Sequence, residues 1–342
     1  MVQAVDMAAE DANARHGGGV VFEVVRHDDR GEECEGARIA STLIADADVM
    51  GLVGHYNSNV SLAVADAYAD ASMPVISPIV SNPGLTDAGW QNVFRFTNRD
   101  DATAAAIVDH LISRMGKRRA VVVRTDTVYG NSMSTQFVQA FERDGGTVLR
   151  DYAVDEGATD FRSIVASFPQ DMDLAFYGGT FEGLPLLKTM RRTGLPHLLA
   201  TGDGCWDDWN FLEPAADAAE QGEGVLVLSA CPGLGVVSGS RAFAARYAAR
   251  FGPIKNYAVN CYDAASLMFE AIKLAAAENK LSRQGVISAL RRVEHRGIAY
   301  PAVVSWDGKQ DNVAAVTALH VVQEGRFKQI ELFGRHQTTA GL

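Results

Sequence analysis

Residues 49–86 read VMGLVGHYNSNVSLAVADAYADASMPVISPIVSNPGLT. Two short apolar runs, VMGLVG and MPVIS, each end in small hydroxyl and amide residues, in GHYNSNVS and SPIVSNP. Between them, residues 59–72 repeat apolar positions at helical spacing. Strand, polar loop, helix, strand is the unit of a parallel sheet, and its loops fall at the carboxyl ends of the strands, where such sheets hold small molecules.

The same unit recurs on both sides. VVFEVV, from Val20 to Val25, predicts a strand and residues 35–47 a helix. After VFRF come a helix over 102–115, the strand AVVVRT, and a helix beyond Tyr129 whose face carries Met133, Phe137, Ala140 and Phe141. TVLRDYAV, a helix near Phe161–Phe168, the strand LAFYGG, a helix from Glu182 to Thr193 and the strand HLLAT continue the series. Strands that are mostly continuous apolar runs belong to parallel sheets covered on both faces. The predicted fold class is therefore α/β, doubly wound, in two lobes. The chain changes lobe near VFRFTNRDD, and again in the extended segments GVLVLSACPG and AVTALHVV. Between the last two, CYDAASLMFEAIKLAAAE is apolar nearly all round and predicts a buried helix.

With 342 residues, 47% of them hydrophobic, the chain is long enough for two cores. A formal charge of -11 argues against nucleic-acid partners, which require clustered Lys and Arg. No apolar run reaches the length of a membrane span. The N-terminal stretch lacks the pattern of a secretory leader and predicts a helix, with Met1, Val5, Ala8 and Ala12 on one face and a stop at Gly17–Gly19. Cys34, Cys205, Cys231 and Cys261 include no CxxC pair, so no zinc or dithiol site is indicated; free buried thiols or one disulfide stay open.

Several chemistries find no support. GLGVVSG at Gly233–Gly239 lacks the dinucleotide spacing, so no cofactor is expected. GNSMS at Gly130–Ser134 has Ser134 where a nucleophile elbow needs glycine. His55 has no acid or nucleophile motif beside it and reads as a supporting residue; no enzyme activity is expected.

GHYNSNVSLAVADAY, MPVISPIVSNPGLT, VFRFTNRDD, TVYGNS, FYGGTFEG and ATGDG, in that order, resemble the periplasmic branched-chain amino-acid binding proteins, type I solute-binding proteins of ABC importers. The resemblance implies two lobes, residues 1–98 with 229–318 and residues 99–228 with 319–342, joined by three crossovers and closing on ligand. It implies that Ser58 and Ser81 hold a ligand carboxylate, that the Ile79 carbonyl and the Asp203 carboxylate hold its ammonium, and that Tyr129 and Thr180 or Phe181 contribute from the second lobe. Tyr56 and Asn57 stand where relatives are smaller or apolar, and Cys205 with Trp206 follows Asp203, so the side-chain pocket is expected to differ from one for leucine or valine. The family disulfide does not carry over, because Asn57 fills one cysteine position. The implied protein is a monomeric, periplasmic amino-acid binder serving an ABC permease, without membrane insertion of its own. A cytosolic amide or amino-acid sensor on the same fold is the alternative. In that topology a strand precedes the first helix, so the resemblance also implies a strand, a ligand-contacting loop and a leader ahead of Met1, or a misassigned start, with an open slot or a foreign strand expected beside VVFEVV and VMGLVG.

Overall fold

Three parallel strands carry the reading of residues 49–86 into three dimensions. In the computed structural model, which describes residues 1–15, 19–213, 222–254 and 257–334, the chain forms two compact units. The first is Met1–Asn98 with Cys231–Val316 and the second Arg99–Ala230 with Thr317–Leu342, so the chain passes between them three times.

The first unit opens with helices α1 (Val2–Ala14) and α2 (Glu33–Ala45). Strand β1 (Leu52–Val53), helix α3 (Ser58–Asp70), strand β2 (Val75–Ser77), the short helix α4 (Gly84–Asp87) and strand β3 (Val93–Arg95) follow. The strands lie in the order β1-β2-β3, all parallel, with Leu52 opposite Val75 and Ile76 opposite Phe94. Ile39 and Leu43 of α2, Val64 and Tyr68 of α3, and Val75 and Val93 of the sheet share one core. The helix Ala258–Ala277 is buried along nearly its whole circumference, as its composition predicts. On it lies α1, tied down by Asp11, which accepts from Tyr262 Oη at 2.6 Å and from Arg246. Arg283 closes the end of α2 by donating to the carbonyls of Leu43, Ile44, Asp46 and Val49. These terminal carbonyls have no partner within the helix, so a cation there satisfies both hydrogen bonding and dipole.

Val20–Val25 is a correction. It joins no ladder with any described strand. A strand exists through its neighbours, and here a side chain stands in for one: the Asn13 amide donates to the Phe22 carbonyl and accepts from the Phe22 N–H, both at 2.9 Å. Phe22 is buried against Phe269, with ring centroids 4.5 Å apart, whereas Val21 and Val25 face solvent. The predicted stop of α1 at Gly17 and Gly18 lies outside the described residues; the helix itself ends at Ala14.

The second unit begins with α5 (Asp100–Asp109), which runs into a wider turn at His110–Arg114. Then come β4 (Arg119–Thr125), α6 (Val128–Arg143), β5 (Thr147–Val154), α7 (Arg162–Ala166), β6 (Leu174–Gly178), α8 (Gly183–Arg192) and β7 (Leu198–Thr201). Strands β8 (Leu226–Ser229), β9 (Val316–Gln323) and β10 (Arg326–Gly334) complete a seven-stranded sheet in the order β10-β9-β8-β7-β6-β4-β5. Alternate residues serve opposite faces. Val121, Val123, Ala175, Tyr177 and Leu199 pack on one side with Leu187 and Met190 of α8; Ala120, Val122, Phe176 and Ala200 pack on the other with Ile107, Phe137 and Phe141. A core on each face defines double winding.

Two details differ from an all-parallel reading. β8 and β9 are antiparallel, Leu228 opposite Leu319, because the chain returns from the first unit to enter β9. β10, which apolar periodicity does not announce, follows β9 through Glu324-Gly325, both with left-handed φ, the conformation of a tight hairpin turn.

Candidate ligand-binding site

In the first unit the sheet ends on two loops. β1 and β2 are adjacent and parallel, so the residues after Val53 and after Ser77 emerge from the same edge. One loop leads to Asn57, the N-cap of α3, and Ser58, its first residue. No side chain caps this helix, so the amides of Ser58, Asn59 and Val60 have no partner among the described residues. Ser58 is buried, yet its hydroxyl makes no hydrogen bond there either. Exposed amides at a helix start, with the positive end of the dipole behind them, favour an anion.

The second loop repeats these features. Ser81 is buried, with its hydroxyl likewise unengaged, and the Ile79 carbonyl accepts no hydrogen bond among the described residues. A cap or turn role for either serine would show as a hydroxyl bonded to a nearby amide, and neither does this. Tyr56 is 48% exposed and meets Tyr257 edge-on at 6.3 Å, placing an aromatic wall two residues from Ser58. Asn57 turns its amide toward Gly31.

His55, just before these residues, is buried with both ring nitrogens occupied, Nδ1 against Asp29 at 2.6 Å and Nε2 against Tyr68 at 3.1 Å. The His55 bond, outweighing burial, holds Asp29 below the usual carboxylate range. An imidazole held at both ends orients the chain into the loop.

The second unit gathers its predicted residues at the carboxyl ends of β4, β6 and β7, which are also adjacent and parallel. Tyr129 lies in the first turn of α6, behind the Thr127 cap, which accepts from Gly130 N. Thr180 and Phe181 follow β6, and Asp203 opens the short turn Asp203–Cys205 after β7. The structure joins Tyr129 to Asp203: the phenol donates to Oδ1 at 2.7 Å and accepts from Gly204 N at 2.9 Å. Burial first, then the charges of Asp203 and Asp100, push the Tyr129 phenol far above its usual range, so it stays a donor. Asp203 itself is buried.

Thr180 belongs to the same cluster. Its carbonyl accepts from Cys205 Sγ at 3.2 Å, and a Cβ on Gly204 would come within 2.3 Å of the Gly179 carbonyl and 3.0 Å of Thr180, so only glycine lets the two loops touch. Phe181 is 60% exposed and makes no side-chain hydrogen bond. Burial pushes the Cys205 thiol up, which keeps it protonated and inert. None of the four cysteines forms a disulfide; Cys34 is exposed and the others are buried.

The sequence does not reveal Glu182. It is 3% exposed and accepts from Tyr177 Oη at 2.8 Å, Thr125 Oγ1 at 3.2 Å and Gly157 N at 2.7 Å. Burial acts to raise its pKa, but these donors outweigh it and hold the group below the usual carboxylate range. Glu182 thus fixes the start of α8 directly after Thr180 and Phe181. An acid beside FYGG was visible, but its partners lie on other elements.

Among the described residues no group of His, Cys, Asp and Glu is arranged to hold a metal ion, and no helix is long and apolar enough to cross a membrane.

A family model described as "Periplasmic binding protein" matches residues 1–326. The chain belongs to the periplasmic binding protein family. An "Amino acid binding protein" of Pseudomonas aeruginosa is 26% identical to this family member over 223 residues, 64% of this chain and 59% of that one. The chain spans about half to three fifths of the length of the first curated relatives it matches. Among solved structures, the branched-chain amino acid transporter substrate binding protein LivJ of Streptococcus pneumoniae, in complex with isoleucine, has a TM-score of 0.85 at 22% identity, covering 97% of this chain and 93% of that one. A solute binding protein of an ABC transporter from R. palustris, in complex with benzoate, has a TM-score of 0.82 at 20% identity, covering 97% and 91%. At these identities the structures establish the type I periplasmic binding fold.

Proposed function

We infer that this family member captures a small amino acid and delivers it to an ABC permease, acting as a monomer outside the cytoplasmic membrane and without turnover. Ser58 and Ser81 take the ligand carboxylate through hydroxyl and amide donors, and Asp203, oriented by Tyr129, takes the ammonium together with the Ile79 carbonyl. Thr180 and Phe181 complete the second set, and Tyr56 with Asn57 borders the ligand side chain. A zwitterion leaving water needs donors at one end and acceptors at the other.

The observation that carries this reading is the division of chemistry between the units. One holds two buried serines whose hydroxyls, like the amides at a helix start, have no partner among the described residues, the other a buried carboxylate braced by a phenol. The names of the relatives and structural neighbours support the ligand class. Benzoate in one neighbour shows that a related protein holds a carboxylate without an ammonium, which makes Asp203 the residue to test.

Isothermal titration with L-isoleucine, L-valine and L-phenylalanine tests it. At least one binds to the wild type without being consumed, and Asp203→Ala weakens it by at least about 30-fold, the low end for truncating one partner of a buried charge pair. Equal affinity of Asp203→Ala and wild type for the amino acid would remove Asp203 from the site.

A further inference from the structure

We propose that Arg95 is a positioning residue for Ser81, holding the carboxylate-binding loop from beneath through the backbone carbonyls on either side of the serine. The inference rests on the assignment of Ser81 to the ligand carboxylate. Arg95, at the end of β3, is fully buried. Its Nη1 donates to the Val80 carbonyl at 3.0 Å and to the Asn82 carbonyl at 2.8 Å, the residues that bracket Ser81. Nη2 reaches the Pro83 carbonyl at 3.4 Å and Thr86 Oγ1 at 2.7 Å. Nε donates to Asp311 Oδ1 at 2.7 Å, and Thr86 Oγ1 donates to the same oxygen at 2.9 Å.

The surroundings fix the guanidinium in turn. The Arg95 N–H donates to the Gln310 carbonyl at 2.9 Å and its carbonyl accepts from Asn312 N at 3.0 Å, so the loop carrying Asp311 is laced to β3 on both sides of the ion pair. Asn82 Oδ1 accepts from Gly84 N at 2.8 Å, and the Asn82 and Pro83 carbonyls also accept from Leu85 N and Thr86 N.

A buried ion pair is weak evidence for stability, because desolvating both charges offsets their attraction and apolar residues often fill the space as well. What an apolar residue cannot do is hold several carbonyls of one irregular loop at fixed directions. The planar guanidinium, with five N–H donors in rigid geometry, is suited to that task and a lysine ammonium is not. Ser81 is consequently held by its backbone neighbours, leaving its hydroxyl unengaged among the described residues. The polar groups that would otherwise draw the loop elsewhere are already satisfied.

The test compares wild type, Arg95→Lys, and the double variant Arg95→Met with Asp311→Asn, which removes the charge without stranding a buried carboxylate. Urea unfolding establishes that each folds. Hydrogen exchange reads the amides of Leu85, Thr86 and Asp87; titration reads L-isoleucine against L-isoleucinamide, which lacks the carboxylate. The double variant is expected to exchange these amides at least about tenfold faster while α3 amides keep their protection, and to lose roughly tenfold of the acid-over-amide preference, the worth of one charge-assisted hydrogen bond. Arg95→Lys, which keeps the charge on Asp311 but cannot span the carbonyls, falls between. Unchanged exchange overturns the positioning role. Faster exchange with an unchanged preference overturns its link to the carboxylate. A wild type without acid-over-amide preference refutes the assignment of Ser81, and the proposal with it, whatever the variants do.

Discussion

Replacing Glu182 by alanine tests how the loop bearing Thr180 and Phe181 is held. The carboxylate has three donors, but Thr125 Oγ1 and Tyr177 Oη also bond each other at 2.7 Å. Glu182→Ala therefore leaves about two donors unmet, the Gly157 amide and one hydroxyl proton. At roughly 1.5–2 kcal/mol for the buried hydroxyl deprived of a charged acceptor, and about 0.5–1 kcal/mol for the Gly157 amide, which is on an exposed residue and can turn to water, the loss is about 2–3 kcal/mol, reduced somewhat because the variant no longer desolvates a charge. Glu182→Gln keeps an acceptor oxygen and is expected to lose about 1–2 kcal/mol. Urea unfolding, followed by tryptophan fluorescence with separate midpoints for separate transitions, measures the total. Exchange at the Gly157 amide reads the local effect, rising by at least about tenfold in the alanine variant. Since the folded-state pKa of Glu182 is depressed, its contribution is present above the ordinary carboxylate pKa and disappears as pH falls through the depressed value. Should Glu182→Ala lie within about 1 kcal/mol of wild type with unaltered Gly157 exchange, the carboxylate does not organise this loop.

His320, buried and stacked on Trp206 at 5.9 Å, is held neutral by burial, its pKa pushed down to about 4. The unfolded chain takes up the proton first, so this residue's contribution is complete above pH about 6.5 and declines towards pH 4, by on the order of 3 kcal/mol in all; denaturation across that range should be less steep with pH in His320→Phe, and equal slopes would contradict the assignment. A Cβ on Gly130 would lie 2.2 Å from the Thr125 carbonyl and 2.9 Å from the Gly178 carbonyl, both at strand ends that cannot move independently. Gly130→Ala should cost at least about 2 kcal/mol in urea unfolding, despite alanine's better helix propensity, and a stabilised variant would show that α6 is looser than its packing implies.

The double winding could be read from the sequence because it is written locally. Runs such as Val121–Val123 and Ala175–Tyr177 serve two cores by simple alternation, and the long helix after Tyr257 is apolar all round because it is surrounded. Pairing is not local, and there the reading fails. Val20–Val25 has the composition of a strand but finds the Asn13 amide instead of a ladder. β10 alternates exposed Arg326, Lys328 and Ile330 with half-buried Phe327, Gln329 and Glu331, as an edge strand does, and the mixing of polar and apolar residues on both faces conceals it. The candidate site divides in the same way. Ser58, Ser81 and Asp203 stand out through their order in a family pattern, whereas Arg95 and Glu182 act through partners that only the fold brings near.

The assignment of donors to one unit and an acceptor to the other is tested most directly by a crystal structure with the amino acid that titration identifies. The ligand carboxylate is expected within hydrogen-bonding distance of Ser58 and Ser81, with the ammonium on Asp203 and the Tyr129–Asp203 bond intact. A bound amino acid whose carboxylate rests elsewhere, with both serine hydroxyls still unengaged, contradicts the account.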